Sequence, residues 1–135
     1  MPRVLVVDDD PVVCVAIEVC LQRQGFEVTI ADGGEAGMQA LEASDFDVML
    51  IDVFMPHMHG FAAIRTFHER RPEVPIVAMS GYAFANSDRE PDLLRLIIEL
   101  GAACCLRKPF TPNALLTSVH ECLTKPVQSA RLSKR

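Results

Sequence analysis

The sequence predicts a doubly wound α/β domain: one five-stranded parallel sheet with five helices covering its two faces. Three observations carry this. Short β-branched runs alternate with longer stretches of helical period along the chain, and parallel strands need helical crossovers between them. The strand-like runs are continuously apolar, as strands buried on both faces are. The length of 135 residues suits a single core, since one domain organises roughly 100–200 residues. At that size about two-thirds of the unfolded surface is buried, so folding needs no metal or disulfide staple.

The elements follow in order. Arg3–Val7 (RVLVV) is the first strand and runs into Asp8-Asp9-Asp10. Asp10 before Pro11 reads as an N-cap followed by proline at the first helical position. Val13, Ile17, Cys20 and Leu21 then recur at helical spacing until Gly25 ends the helix. Phe26–Ala31 is the second strand, and Glu35–Ala43 a short helix with Ala36, Ala40 and Leu41 inward. Asp47–Ile51 is the third strand, ending at Asp52. Val53–Gly60 reads as a loop, and a helix follows over Phe61–Arg71 with Phe61, Ile64 and Phe67 on one side. Pro75–Met79 is the fourth strand, ending at Ser80-Gly81. A polar connection, Tyr82–Glu90, leads to a helix over Pro91–Leu100, closed by Gly101. Ala103–Arg107 is the fifth strand, ending at Lys108-Pro109, and Pro112–Leu123 the last helix. Residues 125–135 (KPVQSARLSKR) have no apolar period and read as a basic, frayed extension, which leaves 1–124 as the domain. No internal repeat or second-domain linker is visible.

Composition narrows the function. No apolar run reaches the roughly 18 residues of a membrane span, and no signal peptide precedes the first strand. A net charge of −5 argues against a nucleic-acid binder, whose affinity comes from neutralising phosphates. The charge is uneven: residues 1–60 hold eleven acids and two bases, residues 61–135 seven acids and eleven bases. Five cysteines (Cys14, Cys20, Cys104, Cys105, Cys122), an odd count with no C-x-x-C pair, read as small buried hydrophobes in a reducing compartment. The expected setting is the cytoplasm.

In open α/β sheets ligands bind beyond the carboxyl ends of the strands, near the switch in strand order. The residues just past strands one, three, four and five are Asp8 and Asp9, Asp52, Ser80 and Lys108. Carboxylates crowded together repel, so some protonate or a cation joins them. Oxygen-only ligands on an open rim suit a hard divalent ion, and Mg²⁺ binds through few carboxylates while keeping waters. A cation, a lysine and a hydroxyl around a carboxylate are what a transferring phosphoryl group needs. The carboxylate can itself be the nucleophile, giving an aspartyl phosphate.

The segments VLVVDDDP (Val4–Pro11), DVMLIDVFMPHMHG (Asp47–Gly60), PIVAMSG (Pro75–Gly81) and LRKPF (Leu106–Phe110) stand in order, each at a strand's end. With these motifs, residues 2–124 resemble a two-component response-regulator receiver domain, either free-standing or part of a longer regulator. The resemblance implies a flavodoxin-like sheet of strand order 2-1-3-4-5. It implies that Asp52 is the phosphoacceptor and takes its phosphoryl group from a phosphohistidine on a sensor histidine kinase or a histidine phosphotransfer protein. Asp9, Asp52 and the backbone carbonyl of Phe54 would bind Mg²⁺ directly, and Asp8 through a water. Lys108 would pair with Asp52 and then with the phosphoryl group, and the Ser80 hydroxyl would move to it. The Lys108–Pro109 bond would be cis. Output would pass through a changed contact face to a protein target, with a phosphorylation-dependent dimer as one form, and without nucleic acid, membrane insertion or substrate turnover.

Other residues fall outside this set. Asp10 reads as the cap alone. His57 and His59 occupy loop positions that vary in the family and do not read as ligands. Met55, Met58 and Met79 read as packing. Two departures stand out: Cys105 occupies the position three before the lysine where relatives carry Tyr or Phe, and the stretch from Ser80 to Lys108 is long. Tyr82 or Phe84 would then supply an aromatic from the loop, and Phe54 and Tyr82 would shield an acyl phosphate from water. The main rival is a haloacid-dehalogenase-type phosphatase or phosphotransferase, whose D-x-D motif Asp8–Asp10 matches. It needs a further acidic pair after the lysine, and the first acid beyond Lys108 is Glu121. The second rival is a receiver-like binding module that is never phosphorylated, which usually lacks an acid or the lysine.

Overall fold

The computed structural model describes residues 1–55, 58–81 and 90–124, with the backbone alone for 54, 55, 58–60 and 90. Five strands form one sheet: β1 (Arg3–Val7), β2 (Glu27–Ala31), β3 (Val48–Asp52), β4 (Ile76–Ser80) and β5 (Cys104–Arg107). Every pairing is parallel and the order is β2-β1-β3-β4-β5. The order places β1 beside β3, so the direction of winding reverses there and leaves a crevice at their carboxyl ends. Five helices are described: α1 (Pro11–Gln22), α2 (Gly34–Ala43), α3 (Gly60–Arg70), α4 (Glu90–Glu99) and α5 (Pro112–Thr124).

Alternation along each strand divides the core in two. Leu5, Val7, Met49, Ile51, Ile76 and Ala78 face one way and pack with Leu41, Ile64, Phe67 and Ile97. Val4, Val6, Val48, Leu50, Val77 and Met79 face the other way and meet Cys14, Ile17, Leu21, Leu115 and Val119. Strands β3 and β4 are buried at every residue, while the edge strands β2 and β5 are only partly covered. This separation explains why the central runs lack a polar alternation.

Gly25 and Gly37 are among the positions that require glycine. Gly25 has φ +89, donates to the Gln22 carbonyl, and turns the chain out of α1 into β2. Gly37 sits where a Cβ would lie 2.9 Å from both Phe67 Cζ and Val7 Cγ2, so α2 approaches the sheet and α3 only because no side chain intervenes.

The predicted elements are all present, with ends shifted by a residue or so, as fraying ends are. Within α1 the fully buried positions are Cys14, Ile17 and Leu21, with Val13 and Cys20 half-buried. The stretch read as a loop after Asp52 contains a short antiparallel ladder, Phe54–Met55 with Met58–His59. Two-residue strands are too short to show a period in sequence. The readings for His57, Tyr82, Phe84 and residues 125–135, and for the side chains of Phe54, Met55, Met58 and His59, lie outside the described residues.

Candidate functional site

β1 delivers the first carboxylates. The Asp8 N–H donates to the Ala31 carbonyl at 3.0 Å, extending the β1–β2 ladder by one residue before the chain turns. Asp10 then caps α1, its Oδ1 accepting from the Val12 N–H at 3.0 Å. That turn holds Asp8 from both sides: its Oδ1 accepts from the Asp10 N–H at 2.9 Å and its Oδ2 from Lys108 Nζ at 2.8 Å. Asp8 is 1% exposed, whereas Asp9 beside it is open to solvent. Asp52, the last residue of β3, is 3% exposed, and its Oδ2 lies 3.4 Å from Lys108 Nζ. Ser80 ends β4, is 2% exposed, and offers its carbonyl to the Lys108 N–H at 2.7 Å. Parallel pairing thus carries four strand ends to one rim, and the predicted set Asp8, Asp9, Asp52, Ser80 and Lys108 converges there. The Lys108–Pro109 peptide is cis.

Carboxylate oxygens of Asp8, Asp9 and Asp52 all lie within 4.8 Å of one another. Among the described residues Lys108 is the cation paired with this cluster, through Asp8 and Asp52. Burial by itself favours neutral Lys108, but its hydrogen bond to Asp8 and the charges of Asp52 and Asp8 outweigh that and raise its pKa above the usual lysine value. Lys108 forms an ion pair with Asp52 and a shorter one with Asp8.

Sequence reasoning passed over one contributor. Cys14 Sγ donates to the Asp8 carbonyl oxygen at 3.3 Å, and burial together with Asp8 pushes its thiol up to about 11. The thiol therefore stays protonated and braces the β1–α1 turn. Its only trace in sequence is its position on the inward side of the first turn after Asp10. Cys105 is half-buried, level with Ala78 of β4, and burial and Cys104 push its thiol up to about 11 as well.

The donor set fits a hard divalent cation. All three ligands are carboxylates, Asp9 leaves one side open, and the anions outnumber the lysine. Sulfur and nitrogen donors, which softer metals prefer, are absent from this three-carboxylate group.

The comparisons agree with this geometry. Residues 4–120 match the family model of the response regulator receiver domain. The chain is 35% identical over 129 residues to the autoinducer 1 sensor kinase/phosphatase LuxN of Vibrio campbellii, covering 96% of this chain and 14% of that protein. It is 31% identical over 118 residues to the cell cycle response regulator CtrA of Brucella ovis, covering 87% of this chain and 48% of that protein. The chain thus spans half or less of the curated relatives it matches. Among solved structures, the receiver domain protein of Methanospirillum hungatei superposes with TM-score 0.81 at 28% identity, covering 91% of this chain and 94% of the other. The chemotaxis protein CheY4 of Vibrio cholerae does so with TM-score 0.81 at 29% identity, covering 91% and 99%.

Proposed function

Because this chain belongs to the response-regulator receiver family, a family of phosphoacceptor signalling modules in two-component systems, we propose that Asp52 is its phosphoacceptor. The observation that carries the assignment is the placement of Asp52 at the end of β3, buried between two further carboxylates and the Lys108 ammonium. An Asp52 carboxylate oxygen attacks the phosphorus of a phosphohistidine. The P–O bond forms as the P–N bond breaks, the electron pair returns to the imidazole, and the products are an acyl phosphate and a free histidine.

The chain's own groups divide the work. Lys108 holds Asp52 before transfer and meets the incoming non-bridging oxygens afterwards. Ser80, on the neighbouring strand, turns its hydroxyl to the phosphoryl group. Asp9 and Asp52, with the Phe54 carbonyl, would hold Mg²⁺, which would supply positive charge to the phosphoryl oxygens. Asp8, with both oxygens engaged by Asp10 and Lys108, would act on the ion only through water.

The partners are a sensor histidine kinase or histidine phosphotransfer protein and a downstream protein, reached from the cytoplasm. No described helix is long and apolar enough to cross a membrane. Residues 1–124 are the receiver and 125–135 a basic extension, with no turnover of a small substrate. The test is direct: incubate with Mg²⁺ and acetyl phosphate and weigh the protein. A single phosphoryl increment that Asp52→Asn abolishes supports the assignment. No increment from acetyl phosphate or from free phosphohistidine overturns it.

A further inference from the structure

Asp8 and Asp9 are neighbours held in opposite ways. Every polar group of Asp8 is engaged: its N–H donates to the Ala31 carbonyl, its carboxylate accepts from the Asp10 N–H and Lys108 Nζ, and its carbonyl accepts from Cys14 Sγ at 3.3 Å. Asp9 is exposed, and among the described residues its carboxylate has no hydrogen bond or ion pair. It nevertheless brings an oxygen within 4.8 Å of oxygens of Asp8 and Asp52. Its direction is therefore set by the two peptide groups that flank it. Each is a rigid plane, and each is gripped at one atom. The Asp9–Asp10 plane is gripped at the Asp10 N–H by Asp8 Oδ1, and the Asp8–Asp9 plane at the Asp8 carbonyl by Cys14.

We propose that Cys14 is a positioning residue for the cation site: by holding the Asp8–Asp9 peptide, its S–H aims the Asp9 carboxylate at the divalent ion. The inference rests on the receiver reading above, in which Asp9 binds Mg²⁺, and adds a residue outside the set of acids, serine and lysine. Position 14 suits the task. Its own N–H closes the first helical bond of α1, to the Asp10 carbonyl at 3.1 Å, so the backbone and thiol of one residue tie both ends of the turn that carries Asp9. Cys14 is 6% exposed and lies in the same apolar layer as Ile17 and Leu21, which leaves its side chain little freedom. A thiol is a weak donor. A weak bond suffices here, because it biases one peptide plane whose neighbour is already held. Mg²⁺ demands near-ideal octahedral geometry, so a ligand whose supporting plane rotates loses affinity for the ion without loss of the fold.

The test is a Mg²⁺ titration of the isotope-labelled chain, followed by amide shifts, on the wild type and on Cys14→Ala, Cys14→Val and Cys14→Ser. Cys14→Ala and Cys14→Val both remove the donor, one underfilling the space and the other overfilling it. Both should weaken Mg²⁺ binding about threefold, the effect of one weak hydrogen bond. Cys14→Ser keeps a donor and should recover most of that loss. A second reading needs no metal: the carbonyl carbon resonance of Asp8 should move upfield in Cys14→Ala and Cys14→Val and return towards its wild-type position in Cys14→Ser. Cys14→Ala should fold, since the cavity between α1 and the end of β2 reaches Cys14 and admits a water to the freed carbonyl. Wild-type affinity in Cys14→Ala overturns the proposal, as does a loss there that Cys14→Val reverses or Cys14→Ser does not. A wild type whose amides around Asp9 and Asp52 ignore Mg²⁺ also overturns it, by sinking the metal reading beneath it. Variants that bind the ion as the wild type does leave that reading standing.

Discussion

Replacing Lys108 by methionine removes one ammonium and keeps most of its stem, and the structure indicates what that costs. At an effective dielectric of about 20, a unit charge at 2.8 Å from the ammonium is attracted by about 6 kcal/mol, and one at 3.4 Å by about 5 kcal/mol. Taking these groups out of water offsets most of that gain. The variant does not recover the offset, because Asp8 stays buried without its counter-charge. Breaking a buried pair in this way costs roughly 3–5 kcal/mol. The retained hydrogen bond from the Asp10 N–H and the open side at Asp9 place Lys108→Met at the low end, about 3 kcal/mol.

The chain has no tryptophan, so urea unfolding is followed by helical circular dichroism, with chelator and with excess Mg²⁺. The loss should be largest with chelator and shrink with Mg²⁺, since an ion held by the same carboxylates would restore positive charge there. The pH dependence has a definite sign. Lys108 is raised in the folded state, so its contribution is complete below the unfolded lysine value and fades as pH rises through the folded one. The difference between wild type and variant should therefore be flat around neutrality and close only in alkali, above about 10.4. A variant within about 1 kcal/mol of wild type in chelator, or a deficit indifferent to Mg²⁺, refutes the reasoning.

Gly37→Ala should destabilise despite alanine's better helix propensity. The gain of about 1 kcal/mol is set against overpacking of roughly 1–3 kcal/mol where the new Cβ meets Phe67 and Val7, and a higher unfolding midpoint would contradict that contact. Cys14 and Cys105, both pushed up to about 11, should alkylate slowly in the native chain near pH 8, where an ordinary thiol is already partly thiolate. Peptide mapping after iodoacetamide checks this, and labelling of either as fast as in urea would count against it. Arg65→Ala removes an exposed i,i+4 pair with Glu69 and should shift stability by no more than about 0.5 kcal/mol; a larger shift in urea unfolding would mean the pair is coupled to something else.

Much of this was legible in sequence because two strong signals coincide. Continuous apolar runs mark β1, β3 and β4, and buried parallel strands have little other way to read. Their ends then fix where Asp8, Asp52 and Ser80 must meet, since the carboxyl edge of such a sheet is one line. What escaped is what depends on distance across the fold. Which carboxylate Lys108 approaches more closely is decided by the turn at Asp10, where a backbone N–H orients Asp8, and no residue spacing encodes that. The bond from Cys14 to the Asp8 carbonyl depends on how α1 is rotated against the sheet, and sets of buried residues one position apart fit the same helical period. The ladder after Asp52 is too short to have a period at all.

These particulars change how the site is to be understood. A cluster with Asp52 as the lysine's first partner would hold its nucleophile tightly before any donor arrived. Here Asp8 takes the shorter contact, and Asp52 sits at 3.4 Å from the same ammonium. Lys108 is thus held most closely by Asp8, and on the proposed assignment a phosphoryl group arriving on Asp52 would leave that contact in place. The backbone adds a second restraint, since the Lys108 N–H is bonded to the Ser80 carbonyl, so the lysine and the hydroxyl residue are positioned by adjacent strands as a unit. The neighbour usually expected to relay the change outward is here a small thiol, Cys105, level with Ala78. A thiol cannot fill and vacate a cavity as a ring does. Replacing Asp8 by asparagine should therefore loosen Lys108 and impair both the resting pair and the signal, whereas filling position 105 should alter the signal alone.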